Sequence, residues 1–177
     1  MSKNKAVIIM NGKGGVGKDY LVDILRTKYN VELVSSVDLV KIAGSILGCD
    51  VNKKSDVDRA FLSDLKKLSA KYYDHPVRYM NVQFDKFINK EYPQILIYMI
   101  REENEILRMN HVLVMDKKFK NVNNILITNS NIDKTYGNSS DDEVGKQDLY
   151  NLEFENIFNN PANDELFLTK IAELIGF

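Results

Sequence analysis

The sequence predicts an α/β fold, a three-layer α/β/α sandwich built on a mostly parallel five-stranded sheet. Three observations lead there. Residues 6–11, AVIIMN, form a short apolar run that ends at a glycine-rich loop, as a strand buried on both faces does. Segments with strand and helix patterns then alternate along the chain. The chain closes on an amphipathic helix over 162–175, with Leu166, Phe167, Ile171, Leu174 and Ile175 at helical spacing.

Taken in order, residues 18–29 follow the loop with Leu21, Val22, Ile24 and Leu25 on one helical stripe. VELVSS (31–36) is a second strand. Ser36 caps a helix that runs to about Leu47 and stops at Gly48. Ser55-x-x-Asp58 opens a longer helix in the manner of a capping box, and Phe61, Leu62, Leu65, Leu68 and Tyr72 mark its apolar face. His75-Pro76 breaks the chain before a helix reaching about Glu91. PQILIYMI (93–100) is a strand, ENEILRM (103–109) a short helix and HVLVMD (111–116) another strand. Residues 117–148 are polar, rich in Asn, Ser, Asp and Lys, and interrupted only by ILIT (125–128); an excursion of this length reads as a lid or binding loop. LEFENIF (152–158) is the last strand. No internal repeat and no second domain is visible, so residues 1–177 form one domain, with a helical flap at about 50–92 and a lid-like region at about 117–148.

Composition narrows the function. The chain has 177 residues, 44% hydrophobic and 28% charged, with a net charge of −1. That balance is ordinary for a globular domain with a real core, and no global basic field draws it to nucleic acid or to a membrane surface. Any bound anion must be held by local charges. Cys49 is the only cysteine, which excludes an internal disulfide and suits a reducing compartment. The apolar run at residues 6–10 is too short for a signal peptide, and no stretch is long enough to span a bilayer, so the expected location is cytoplasmic.

The loop NGKGGVGKDY (11–20) carries the chemistry. Gly12, Gly17 and Lys18 fit the phosphate-binding pattern G-x-x-x-x-G-K. The backbone of Gly12, Lys13, Gly14, Gly15, Val16 and Gly17 turns its N–H groups toward an anion, the following helix presents its positive end, and Lys18 reaches the terminal phosphates. The ligands this predicts are ATP and Mg²⁺. Asp19 occupies the position where the pattern has a magnesium-binding hydroxyl. A carboxylate there is a stronger metal ligand, or else caps helix N–H groups.

GKD in this loop resembles a small group of P-loop kinases, the phage-type deoxynucleoside monophosphate kinases and the animal-type phosphomevalonate kinases. SSVDLVK (35–41), DRAFLSDL (58–65), YMIREENEI (98–106), and SSDDEV followed by FENIFNN (139–144 and 154–160) resemble further segments of that family in order and spacing. The resemblance spans about residues 6–175. It implies an ATP- and magnesium-dependent phosphotransferase whose acceptor is a small phosphorylated molecule, a (deoxy)nucleoside monophosphate before phosphomevalonate or another phosphometabolite. On this reading Lys18 stabilises the transferring charge, Asp19 holds magnesium, Arg59 and Arg101 position the acceptor, and Tyr20 and Asn159 lie on the nucleotide side. KGGVGK (13–18) also matches the loop of partition-type ATPases, whose early lysine corresponds to Lys13, and a nucleotide-binding protein without kinase activity is a third reading.

The chain has only five arginines. Arg26 lies too far along its helix to reach the loop and belongs to the surface. Arg59 matches the substrate arginine of the resembled family, and Arg101 follows a strand, where ligands of parallel sheets sit. Arg78 and Arg108 stay open, Arg108 as a possible C-terminal helix cap. The lid region departs from the family in having no arginine; its cations are Lys117, Lys118, Lys120, Lys134 and Lys146. Asp38 is either an acceptor-side group or a helix-start acid, and Asn159-Asn160 either face a purine edge or make the turn before Pro161. The oligomeric state, a homodimer included, is open.

Overall fold

The computed structural model describes residues 5–52, 55–92, 94–132, 144 and 149–177. Five strands, β1 (Ala6–Asn11), β2 (Val31–Ser35), β3 (Ile95–Met99), β4 (Val122–Thr128) and β5 (Leu152–Glu155), form one sheet in the order β2-β3-β1-β4-β5, with every pairing parallel. Among the described residues six α-helices surround it: α1 (Lys18–Arg26), α2 (Asp38–Ile46), α3 (Asp56–Tyr73), α4 (His75–Asn89), α5 (Glu103–His111) and α6 (Pro161–Ile175).

The central strands are apolar on both faces because both faces are covered. Ala6, Ile8, Met10, Ile95 and Ile97 point to one side, where Leu21, Val22 and Leu25 of α1 and Phe167 and Ile171 of α6 pack on them. Val7, Ile9, Leu96, Tyr98 and Ile100 point to the other, against Met80, Phe84 and Phe87 of α4 and Ile106 and Met109 of α5. Full burial of each large side chain stabilises the fold by roughly 1.5–3 kcal/mol, so this double core carries most of the stability. Tyr98 is wholly buried and resolves its polar end by donating its hydroxyl to the Met80 carbonyl at 2.7 Å.

Two expected elements differ. HVLVMD is no strand; α5 continues through His111 into a π-helical turn, Val112–Asp116, that seats Leu113 in the core. The strand is VNNILIT, Val122–Thr128, which therefore divides the polar excursion expected over 117–148. Asn123 and Asn124 sit inside this strand because their amides are satisfied. Asn123 donates to Asn121 at 3.1 Å, and Asn124 donates to the Leu149 carbonyl at 3.0 Å and accepts from Asn110 at 3.1 Å. Residues 133–143 and 145–148, with Lys134 and Lys146, lie outside the described residues.

α3 is attached differently from the other helices. Its N-terminus is the expected capping box, with the Ser55 and Asp58 side chains each accepting the other's backbone N–H. Of its predicted apolar face, Leu62 and Leu65 are half-buried, while Phe61, Leu68 and Tyr72 are exposed. Its one buried side chain is Lys66, 7% exposed. The Lys66 ammonium donates to Glu105 at 3.0 Å, to Ser36 at 3.2 Å and, in a short contact, to Glu102. These three acceptors match the three hydrogens of the ammonium. Two carboxylates share one cation, and burial, opposed by Lys66 and reinforced by Glu102, pushes the Glu105 carboxyl up to about 7.

That shift predicts a pH-dependent stability. Glu105 binds its proton more tightly in the native state than in the unfolded chain, where its value is near 4.5. Its contribution is therefore fully present below about pH 4.5 and is lost as pH rises through about 7. Urea denaturation across this window should show stability falling by up to about 1.4 kcal/mol per pH unit from this group. Glu105→Gln, which cannot ionise, should flatten the curve there; an unchanged slope in the variant would remove Glu105 as its source.

Candidate functional site

The loop between β1 and α1 lies at the carboxyl end of the central strand. The chain leaves β1 toward β2 on one side and leaves β4 toward β5 on the other, so the connections diverge between neighbours β1 and β4, where open parallel sheets bind ligands. Gly12 and Gly17 have φ of 147° and 93°. A β-carbon on Gly12 would meet the Ile127 carbonyl of β4 at 2.5 Å, and one on Gly17 would collide with the Asn156 amide that follows β5. Both positions require glycine for conformation and for space. Gly17 also occupies the N-cap of α1 and supplies no side-chain cap to it. The first N–H groups of that helix thus remain available to an anion, on a helix end that favours negative charge.

Lys18 lies back over the loop, its ammonium donating to the carbonyls of Gly12 at 2.5 Å and Lys13 at 2.7 Å. Those are neutral acceptors that a phosphate oxygen can replace with a charged one. Lys13 and Gly15 are exposed, and Val16 is buried in the core beside α1. Asp19 is exposed in the first turn of α1, and among the described residues its carboxylate makes no hydrogen bond or ion pair. The loop therefore combines a cradle of backbone donors, one half-buried cation held on loop carbonyls and one exposed carboxylate. This donor set fits a magnesium nucleotide, with the glycines, Lys18 and the start of α1 on the phosphates and Asp19 on the metal.

Two buried asparagines pin the loop at either end, and neither is singled out by the sequence pattern. Asn11 accepts the Gly12 N–H and donates to the Arg101 carbonyl at 3.3 Å and to the Tyr150 hydroxyl at 2.9 Å. Asn156, fully buried, donates to the Val16 carbonyl at 2.8 Å, while its amide oxygen is buried without a partner among the described residues. A polar residue closing an otherwise apolar strand was the available signal for Asn11. Asn156 stands within FENIFNN, but only the fold brings it to Gly17.

On the α6 side of the loop, Tyr20 donates its hydroxyl to Asp164 of α6 at 2.7 Å, and that hydrogen bond holds its own ionisation above the ordinary range. Its ring packs 5.1 Å from Phe158. Asn159 is exposed with φ of 58°, and Asn160 caps α6 by accepting the Ala162 N–H at 3.1 Å. The pair therefore makes the turn before Pro161, leaving Asn159 as the side chain free of a capping duty.

On the other side of β1, Arg101 is half-buried directly beyond β3, and Arg59 is exposed in the first turn of α3. Asp38 accepts the Ser35 N–H at 2.8 Å, which gives it the helix-start role. The Lys66, Glu102, Glu105 and Ser36 cluster lies at the carboxyl ends of β2 and β3, beside Arg101. Glu105 belongs to YMIREENEI, but nothing local pairs it with a lysine 39 residues away. The remaining arginines lie elsewhere. Arg26 pairs with Asp23 on the surface at 3.0 Å. Arg108 pairs with Asp74 rather than capping its helix, and with Arg78 and His111 it lines a groove of about 370 Å³ between α4 and α5.

No family model matches the chain, and no curated protein does. Solved structures do share its architecture. Shikimate kinase from Bacteroides thetaiotaomicron has a TM-score of 0.53 at 11% identity, over 97% of this chain and 99% of that one. The Mycobacterium tuberculosis APS kinase has a TM-score of 0.52 at 10% identity, over 98% and 99%. TT1252 from Thermus thermophilus has a TM-score of 0.51 at 15% identity, over 97% of each chain. Together with the all-parallel five-stranded sheet and its flanking helices, this likeness over nearly the whole chain shows that the protein has the α/β fold of P-loop kinases.

Proposed function

We propose that the protein is an ATP- and magnesium-dependent kinase of a small phosphorylated acceptor, a (deoxy)nucleoside monophosphate in the first instance. The observation that carries this reading is the cradle itself: two glycines with no room for a side chain, an uncapped helix start and a lysine resting on two loop carbonyls. The kinase fold of the whole chain supports it. So does the pair of cations, Arg59 and Arg101, on the opposite side of β1 from the nucleotide side. When bound, ATP supplies the transferable phosphoryl group and magnesium screens its charge.

The chain's own residues have the positioning and neutralising roles that phosphoryl transfer needs. The loop N–H groups orient the phosphates. Lys18 exchanges its carbonyl partners for phosphate oxygens, where it meets the charge that develops in transfer. Asp19 offers the metal an oxygen. Arg59 and Arg101 hold the acceptor's anion in line. An acceptor phosphate is already ionised, so no side chain has to remove a proton from it. The cations of the 117–148 region are lysines, which serve as point charges without the bidentate grip of arginine.

A thermal-shift screen of nucleoside monophosphates and other phosphometabolites, with a non-hydrolysable ATP analogue and magnesium present, tests the acceptor class. A compound held at a hundred times its dissociation constant should stabilise the protein by about 2.7 kcal/mol. Lys18→Ala should leave the fold intact and lower phosphoryl transfer by about a hundredfold or more. A variant as active as the wild type would sink the assignment of the loop.

Asp19 has its own signature. If its carboxylate serves the metal, it attracts magnesium and repels nucleotide when magnesium is absent. Asp19→Ser should then bind metal-free ATP more tightly than the wild type and need more magnesium for half-maximal rate, with Asp19→Asn losing more rate because an amide is the poorer magnesium ligand. Magnesium titrations that overlay the wild type would leave Asp19 as an ordinary first-turn acid.

A further inference from the structure

A continuous line of buried polar contacts runs from the loop to α3. The Gly12 N–H is held by Asn11, and the same Asn11 side chain donates to the carbonyl of Arg101. Glu102 follows Arg101 in the chain and takes the Lys66 ammonium, which also engages Glu105 and Ser36. The Ser36 N–H in turn donates to the Met99 carbonyl at 3.1 Å, so the cluster is laced to the ends of both β2 and β3. Asn11 is 1% exposed and Lys66 7%. Neither belongs to an apolar core cluster, and the buried polar atoms of each are met by polar partners.

We infer that Lys66 is a positioning residue that couples the state of the nucleotide loop to the placement of α3, with Asn11 as the near end of the connection. The inference rests on the kinase reading above. Geometry supports it in two ways. The leucines of α3, Leu62 and Leu65, are only half-buried and Lys66 is its one fully buried side chain, so the ammonium and its three acceptors are the most buried tie between α3 and the ends of β2 and β3. Those acceptors sit on the two segments that leave β2 and β3, and the second of these is bonded to the residue that holds the loop's first N–H. A shift of Gly12 on anion binding passes through Asn11 to Arg101 and Glu102 without crossing an apolar gap. Buried ion pairs are poor sources of stability but good devices for specifying one arrangement, and that is the use this cluster serves.

Hydrogen exchange on the full chain tests the coupling, with a non-hydrolysable ATP analogue and magnesium as the probe. In the wild type the analogue should slow exchange both in the loop and in α3, by about fivefold or more in the helix. In Lys66→Met/Glu105→Leu, an apolar pair of similar size replaces the two most buried ions and leaves Glu102, which is only half-buried, to the solvent; folding should persist, since such exchanges are often neutral or stabilising. That variant should bind the analogue as the wild type does and keep the protection of the loop, but lose the response of α3. Glu102→Gln, a smaller change that keeps the shape of the site, should weaken the response of α3 and guards against a double variant that does not fold. An α3 that responds equally in these variants, or that does not respond in the wild type while the loop does, overturns the inference alone. A wild type whose loop shows no protection sinks the kinase reading and the inference with it.

Discussion

The site depends on a steric constraint: the phosphate loop passes between the Ile127 carbonyl and the Asn156 amide with no space for a β-carbon at Gly12 or Gly17. The loop's shape is thus imposed by β4 and β5, which precede and follow the polar excursion, rather than by the loop's own sequence. Val16 reinforces this by burying its side chain while giving its carbonyl to Asn156. The backbone donors are aimed before any ligand arrives, so an anion meets a preorganised cradle and little reorganisation is left for the moment of transfer.

The two halves of the site are held by different kinds of contact. On the side of β4, β5 and α6, attachment is apolar and aromatic: Phe154 packs 5.0 Å from Phe167, and Tyr20 rests on Phe158 while bonding Asp164. On the side of α3, the one fully buried side chain of the helix is an ion, Lys66, and large apolar side chains such as Phe61, Leu68, Ile46 and Leu47 remain exposed. Packed cores have one arrangement and resist deformation. α3 has Lys66 as its one fully buried side chain, and the elements that move in proteins come from the less stably attached parts. The side of β4, β5 and α6 is therefore built for rigidity and the side of α3 for adjustment.

How far the fold was legible follows from which interactions are local. The first strand, the glycine loop, the helix after it and the Ser55 capping box are written in contiguous residues, and each appears where the pattern places it. β4 was obscured because Asn123 and Asn124 break its apolar run, and what makes them tolerable, amide bonds to Asn121, Leu149 and Asn110, is visible only once the chain is folded. HVLVMD misled for the opposite reason: its β-branched residues suit a strand, but tertiary packing of Leu113 extends the helix instead. In α3 the period was read correctly and the face was misplaced by one residue. Leu62 and Leu65 share their stripe with Lys66, and a lysine joins a buried face only when partners as distant as Glu102 and Glu105 receive it.

Strand order explains why the polar connection runs where it does. In the order β2-β3-β1-β4-β5 the loop rises from the middle strand, with Tyr20, Phe158 and Asn159 on one flank and Arg101, Lys66 and Arg59 on the other. Any exchange between the flanks must cross the end of β1. Side chains along β1 up to Met10 are committed to the two cores, so the last residue of the strand is the first one free to carry a polar link. Asn11 is that residue, and an amide suits it because it must accept from Gly12 and donate toward Arg101 at once. An apolar side chain there would serve the core equally well but would separate the loop from the segment after β3. A carboxylate there would leave a buried negative charge and could not donate to the Arg101 carbonyl.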